Sequence, residues 1–577
     1  MYTIVFKNTG GEDVTVFAAC GENLLGLARG AGVIIDAPCS GNGTCGKCLV
    51  KVVCDGLSEW VPACQTVVTG DAVVEVRESS SFFDISIEVN KELDRDGITD
   101  SSSVNFIDAS QNDNDDFQAS LPPRFGLAVD IGTTTVSAML VEIGSTGEIY
   151  AKATTGNAQI RYGADVINRI IEQQKPGGIK KLQDAIIRDT LLPLINSLCQ
   201  ATGVSCESII RMVIAANTTM NHLLLGVNAN SIRLEPFEPA FLRFPVYNPS
   251  DIGINLAPDA EMIIAPNVGS YVGGDITAGV PGTGPPTGWQ MWPMNGELSR
   301  TIIDPETNEE VDAPNEMTLL IDLGTNGEIV FSNREFMMTC ACSAGPAFEG
   351  GDISCGMRAT PGAVHAFKIN DETNEPELSV IGNGKPSGIC GSGIIDVISE
   401  LFRKKIINKK GKFEHTGDGD SNRDGDFCSN RYTLVPAQDS ATGKDITITE
   451  TDIDNFIRAK AAIFSGIISL LSPLGFTPAD IDNIYIAGGI GSGINIKNAI
   501  SIGMLPNLPL EKYQYLGNTA LDGAYSMLLP LYSQQVLDDI NEIADNMTYI
   551  DLSTQPGYMD EFIAACFLPH TDERLFV

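Results

Sequence analysis

Four cysteines, Cys39, Cys45, Cys48 and Cys64, follow a C-x5-C-x2-C-x15-C spacing. Thiolates are soft ligands that suit iron–sulfur centres or zinc. Between the first two lie Gly41 and Gly43, and Gly46 follows Cys45. A chain wrapping an iron–sulfur cluster needs such residues, because backbone N–H groups must approach the sulfides and glycine tolerates positive φ. A structural zinc site more often shows two C-x2-4-C knuckles. Here only Cys45 and Cys48 stand that close, so the spacing favours a cluster, with zinc as the alternative. Of the other ten cysteines, Cys20 reads as a small core residue and Cys54 as a reserve ligand. Cys340, Cys342, Cys355 and Cys390 are too irregularly spaced for a second cluster and default to buried or near-site thiols.

A second chemistry is written in glycine turns beside carboxylates. Phe125–Val141 reads as strand, tight turn, strand, with Asp130 ending the first strand, Gly132 in the turn, and Thr133, Thr134 and Thr135 after it. Such a turn brings hydroxyl and backbone donors to a phosphate, and its carboxylate suits hydrated Mg²⁺. Thr318–Phe331 repeats the pattern about 190 residues later, with Asp322, Gly324, Thr325 and Asn326 in matching places. Two such hairpins suggest two similar halves clamping one phosphate chain. The stretch from Asn483 to Gly493 enters a third glycine turn, where Gly488, Gly489 and Gly491 can accept an adenine or ribose against bare backbone. Gly517–Tyr525 reads as a helix whose small residues permit close packing. Asp275, in Gly-Gly-Asp-Ile-Thr-Ala-Gly, can orient an attacking water or cap a helix. No G-x4-G-K-[ST] loop occurs, which argues against a Walker-type NTPase.

The elements that must hold these groups sort into three regions. In the first, residues 1–78, Tyr2–Phe6, Val14–Phe17, Leu49–Val53 and Val73–Val76 read as strands and Glu22–Ala31 as a short helix. The second, residues 79–121, is rich in serine and acid and reads as a flexible linker, with a short strand possible where Ile85, Ile87 and Val89 alternate. The third, residues 122–577, carries both hairpins. The chain has 577 residues with 37 Lys and Arg against 74 Asp and Glu, a net charge of −37 that argues against nucleic-acid or anionic-membrane binding. No signal-like N-terminus and no run of 18 apolar residues stands out, so a cytoplasmic protein is expected, with Ala461–Leu471 a buried helix. His222 reads as a core or cap residue, and residues 417–426 resemble a calcium loop only in composition.

Residues 1 to about 78 resemble a β-grasp [2Fe-2S] ferredoxin domain, closer to the adrenodoxin-type cysteine spacing than to the plant type. Residues 125–577 resemble the two-lobed, RNase H-like ATPases of the actin, sugar kinase and Hsp70 superfamily. The combination, with the stretch from Gly488 to Pro506 and with Gly-Asn-Gly-Thr-Cys-Gly-Lys-Cys, resembles the ATP-dependent reductive activators of corrinoid proteins. That resemblance implies an α/β and α+β multidomain protein carrying a [2Fe-2S] cluster and binding ATP with Mg²⁺. It implies one-electron reduction of an inactive Co(II) corrinoid protein to Co(I), fed by a low-potential electron donor, and a homodimer. The four cysteines would hold the cluster, Asp130 and Asp322 would position Mg-ATP, and Asp275 would orient the hydrolytic water. Two rivals remain: an activator of a non-corrinoid enzyme, and a small-molecule kinase with a redox sensor domain.

Overall fold

The computed structural model describes the chain except residues 8–12, 34, 36–42, 44–47, 55, 77–82, 84, 91–122, 145–146, 281–300, 304–309, 313–314, 334, 415–429, 490–492, 530–532 and 577. The calcium-like stretch therefore lies outside the described residues.

The N-terminal unit is a five-stranded sheet in the order β2-β1-β5-β3-β4. Its strands are β1 (Tyr2–Lys7), β2 (Val14–Ala18), β3 (Leu49–Cys54), β4 (Leu57–Pro62) and β5 (Ala72–Glu75). One helix, α1 (Leu24–Gly30), packs Leu24, Leu25 and Ala28 against Ile4, Phe6, Val50 and Val74. Asn23 starts that helix by accepting the Gly26 N–H at 3.0 Å. The sequence pattern anticipates four of the strands and the helix but not β4. The reason is its position: β4 is an edge strand with Leu57 80% and Trp60 46% exposed, so it lacks the in–out alternation that a half-buried strand writes. Cys20, expected in the core, is instead exposed just beyond β2.

The large region holds two six-stranded sheets with one plan. In lobe one the order is β11-β10-β7-β8-β9-β6, from β6 (Ser86–Val89), β7 (Phe125–Ile131), β8 (Thr135–Glu142), β9 (Ile149–Gly156), β10 (Ile209–Ala216) and β11 (Glu261–Ile264). In lobe two the order is β16-β15-β12-β13-β14-β17, from β12 (Thr318–Leu323), β13 (Gly327–Ser332), β14 (Met337–Cys342), β15 (Asn483–Ala487), β16 (Tyr513–Gly517) and β17 (Met547–Tyr549). Each sheet has a three-strand antiparallel meander whose first strand pairs in parallel with a later one. The central strands β7 and β12 are buried on both faces, so they read as continuous apolar runs, while the parallel edge neighbour β16 is half exposed.

Strand β6 pairs antiparallel with β9, Ile87 opposite Ala153. Just before it, the Thr155 hydroxyl donates to the Phe83 carbonyl at 3.1 Å and the Arg161 guanidinium stacks on the Phe83 ring. The span from the ferredoxin sheet to the first anchored residue therefore runs only from Val76 to Phe83, not across the whole of 79–121.

Six further helices matter for the site: α2 (Val166–Gln173), α3 (Thr218–Leu224), α4 (Gly274–Gly279), α5 (Gly391–Arg403), α6 (Glu450–Leu471) and α7 (Thr519–Leu528). Helix α6 is long and apolar enough to pass as a membrane span by composition, yet 72% of that window is buried under the lobe-two sheet. His222, in α3, is fully buried against Phe241.

Candidate functional site

The two phosphate hairpins meet. β7 delivers Asp130 and turns at Gly132, where a Cβ would stand 2.6 Å from the Thr135 carbonyl. β12 delivers Asp322 and turns through Gly324, Thr325 and Asn326 into β13. The Thr134 and Thr325 hydroxyls lie 2.5 Å apart, joining residues 191 positions distant in sequence. Thr325 also donates to Glu349 Oε2 at 2.7 Å, so the Thr134 hydroxyl donates to Thr325 and a short relay crosses the cleft.

Lobe one is braced around its turn. The Asn157 amide group donates to the Gly132 carbonyl at 2.9 Å, and its backbone N–H donates to Thr134 at 2.8 Å. Asn217, which caps α3, donates to the Thr133 hydroxyl at 3.1 Å. Arg169 of α2, fully buried, donates to the carbonyls of Gly163 and Thr133 and to Gln159. Arg358 arrives from lobe two and donates to the Thr134 carbonyl at 2.6 Å.

The third glycine turn backs onto the second hairpin. Gly488 has φ +91°, and a Cβ there would come within 2.5 Å of Asp322 Oδ1 and 2.4 Å of the Leu323 carbonyl. At Gly489 a Cβ would meet open space, so the backbone there is bare to solvent. Gly491 lies outside the described residues.

Asp275 sits in the first turn of α4, and its Oδ1 accepts the Ile276 N–H at 2.9 Å. The cap position itself belongs to Gly273, so Asp275 secures the helix start from inside the turn. Asp130, Asp275, Asp322 and Glu328 thus face one another across a narrow cleft. Burial raises the pKa of Asp130 to about 7, and the Asp275 charge adds to it while a 2.7 Å hydrogen bond from Asn518 opposes it. Burial, then the charges of Asp275, Asp130 and Glu349, raises Asp322 to about 7. Burial raises Asp275 to about 6 against its backbone hydrogen bonds. Glu328 is pushed well above the usual range by burial and by Asp275 and Asp322. No three of these carboxylates stand close enough to ligate one ion directly; a hydrated Mg²⁺, which keeps its waters and takes only one or two carboxylates, is the cation that suits them.

Two helices cross between the lobes. α4 follows the lobe-one edge strand β11, yet its Ile276 packs with Leu320, Val330 and Ala487 of lobe two. α7 follows β16 of lobe two, yet its Ala520, Ala524 and Leu528 pack with Ala128, Val213 and Ala215 of lobe one. Where the helices touch, a Cβ on Gly523 would stand 2.0 Å from the Ala278 carbonyl. Gly523→Val should therefore lower the unfolding free energy by about 1–3 kcal/mol, the usual range for overpacking. A thermal melt unchanged from wild type would count against so tight a crossing.

In the ferredoxin unit, Cys48 and Cys64 are the described members of the four-cysteine set, and their sulfurs lie 3.2 Å apart. Gly43 has φ +76°, and a Cβ there would run into the Gln65 side chain. Two adjacent thiols beside a turn whose positive φ favours glycine fit a cluster held by Cys39, Cys45, Cys48 and Cys64. Cys39 and Cys45 lie outside the described residues. Cys54 sits at the far end of β3 from Cys48, roughly 20 Å away at strand rise, too far to be a ligand. Cys340 and Cys342 are buried against Gly466 of α6, and the Cys390 thiol donates to the Val364 carbonyl at 3.4 Å. Among the described residues no three Cys or His side chains converge into a second metal centre.

The sequence signature does not assign Asn518, Glu349, Glu328 or Arg358 to the site. Asn518 is within reach, since it opens the helix that the small residues mark. Glu328 is within reach too, since it lies inside the Thr318–Phe331 hairpin opposite Asp322; Glu349 and Arg358 stand outside the glycine-turn signature, and only the fold brings them to it.

Known proteins share this arrangement. A family profile described as the 2Fe-2S iron–sulfur cluster binding domain matches residues 8–69. The RACo middle region matches residues 125–284, and the C-terminal domain of RACo, the ASKHA domain, matches residues 316–577. The chain is 30% identical to the corrinoid activation enzyme RamQ of Eubacterium limosum, over 92% of this chain and 94% of that one. It is 27% identical to the [Co(II) methylated amine-specific corrinoid protein] reductase of Methanosarcina barkeri, over 40% and 42%. A solved reductive activator for corrinoid, iron–sulfur protein is 35% identical over the whole of both chains, with a TM-score of 0.68. The chain belongs to the family of reductive activators of corrinoid proteins, built from a 2Fe-2S domain and an ASKHA-type ATPase.

Proposed function

We propose that this protein reduces the inactive Co(II) state of a corrinoid protein to Co(I), one electron at a time, and drives the step with ATP. The observation that carries the reading is the pairing of two D-x-G-T hairpins across one cleft with a cysteine-rich β-grasp unit in the same chain. A relative that aligns nearly end to end is named for corrinoid activation.

The energetic problem explains the architecture. A bound [2Fe-2S] cluster supplies a one-electron carrier, and potentials of the plant-type ferredoxins are about −400 mV. Each ~59 mV of shortfall costs a factor of ten in a one-electron equilibrium. Binding or hydrolysis of ATP helps only if the nucleotide and the partner each distinguish two states of the activator. The crossed helices supply the linkage: Asn518 opens α7 and bonds Asp130, while Asp275 opens α4. In this reading Asp130 and Asp322 hold the Mg²⁺ of Mg-ATP, and Gly132, Thr133, Thr134, Thr135, Gly324, Thr325 and Asn326 line its phosphates. Gly488, Gly489 and Gly491 receive the adenosine, and Asp275 orients the hydrolytic water. A low-potential donor reloads the ferredoxin unit, whose cysteines fix the carrier at the surface of the small sheet.

The test mixes the reduced holoprotein with Co(II) corrinoid proteins and follows Co(I) absorption. Co(I) should accumulate with Mg-ATP and stay near baseline without it. Equal accumulation in both, or none with any corrinoid protein of the source cell, would remove the reading.

A further inference from the structure

We propose that Arg358 is the side chain with which lobe two grips the terminal phosphate of ATP. The proposal deepens the nucleotide-site reading above and rests on it. Asp130, Asp275, Asp322, Glu328 and Glu349 stand around the cleft between the hairpins, so each of them that is ionised repels an entering triphosphate. A divalent cation offsets part of that repulsion. The remainder calls for a cation that can reach the phosphate oxygens.

Two guanidiniums reach the first phosphate loop, and they are not equivalent. Arg169 belongs to the same lobe as that loop, is fully buried, and spends its donors on Gly163, Gln159 and Thr133. It is part of the scaffold. Arg358 comes from the opposite lobe, is partly exposed, and spans the cleft to the Thr134 carbonyl. A phosphate oxygen between the loops offers a guanidinium a charged acceptor in place of that neutral carbonyl, and planar guanidiniums suit phosphate geometry.

The backbone that presents Arg358 is fixed. The Met357 N–H donates to the Ile389 carbonyl at 2.8 Å. A Cβ on Gly350 would lie 2.5 Å from Met357 N, and one on Gly391 would lie 1.8 Å from the Phe348 carbonyl. This tight fold sets Arg358 and Glu349 on either side of the Thr134–Thr325 contact. Glu349 bonds Thr325 and its charge acts on both arginines. Its charge favours the Arg358 guanidinium on this side of the cleft. An arginine that meets the last phosphate distinguishes ATP from ADP and ties that distinction to the lobe–lobe contact.

The test measures calorimetric affinities of Mg-ATP and Mg-ADP for wild type, Arg358→Gln and Arg358→Lys, with the melting temperature of each nucleotide-free protein. Arg358→Gln should weaken ATP by about tenfold or more, as loss of a charge-assisted contact does, and ADP by less than about threefold. Arg358→Lys should recover part of the ATP affinity, since it keeps the charge and loses the fork. Equal losses for ATP and ADP would overturn the assignment. So would unchanged ATP affinity, with or without a lower melting temperature, since Arg358 would then only brace the Thr134 loop. Wild-type protein that binds neither nucleotide would overturn the nucleotide site itself, a distinct result.

Discussion

Cys64→Ser should remove electron delivery to the corrinoid while leaving Mg-ATP binding within about twofold of wild type, because a hard hydroxyl replaces one of four soft ligands. Cys64 follows β4 and faces Cys48 at 3.2 Å, so the substitution falls on the described half of the cluster site. Cys64 packs only at the margin of the β-grasp core of Ile4, Phe6, Leu24 and Val74, is partly buried, and differs from serine by one atom, so the core keeps its packing. The nucleotide cleft is built wholly from residues of the large region, so its contacts do not depend on the cysteines. The measurements are iron content, visible absorption of the anaerobically purified protein, Co(I) formation and calorimetric ATP affinity. Bleached absorption, lost Co(I) formation and intact ATP binding are expected together. Co(I) formation at the wild-type rate from Cys64→Ser would detach the cysteine set from the electron path. Cys45→Ser should behave in the same way if all four thiolates share one cluster.

How legible the molecule is from its sequence depends on how far apart the cooperating residues lie. The cysteine spacing and the two D-x-G-T turns are local patterns, and a strand that ends in a carboxylate beside a glycine turn is readable where it stands. The alternation of Ile85, Ile87 and Val89 also marks a strand, but not that its partner is β9, because an edge pairing is chosen by the sheet and not by the strand. The crossing of α4 and α7 shows in sequence only as a run of small residues. That Gly523 meets the Ala278 carbonyl needs both lobes in place. Glu349 and Arg358 carry no periodic or spacing signal at all. They become site residues because the close approach of Gly350 to Met357 and of Gly391 to Phe348 folds their segment over the hairpin turns. Cys20 reads as core by residue type, yet a small thiol at the end of an outer strand has nothing to bury it.

Asp322→Asn should abolish most ATP turnover, by about a hundredfold or more if it removes a Mg²⁺ ligand from the phosphate site, and should stabilise the nucleotide-free protein at neutral pH. The second half follows from linkage. Asp130 and Asp322 are raised to about 7 and Asp275 to about 6, above the ordinary carboxylate range, chiefly by burial. Between pH 4 and 7 the folded protein therefore keeps protons that the unfolded chain has released. Where the folded state binds more protons, stability falls as pH rises, and the loss is complete above the folded pKa. This is opposite to the behaviour of a salt-bridged carboxylate. A single group raised by three units corresponds to about 4 kcal/mol at most, reduced by the residual solvent contact of these side chains. The asparagine variant lacks one titrating group and one repelling charge on Asp130, Asp275 and Glu328. Its melting temperature should fall less between pH 5 and 8 than that of wild type, when both are measured without Mg²⁺ or nucleotide. Mg-ATP should add more to the wild-type melting temperature at pH 8 than at pH 5, since protons compete with the metal at low pH. A wild-type melting temperature that instead rises from pH 5 to 8, with no change in slope for Asp322→Asn, would mean that the carboxylates do not confront one another in the empty cleft. Turnover retained by the variant would remove Asp322 from the phosphate site altogether.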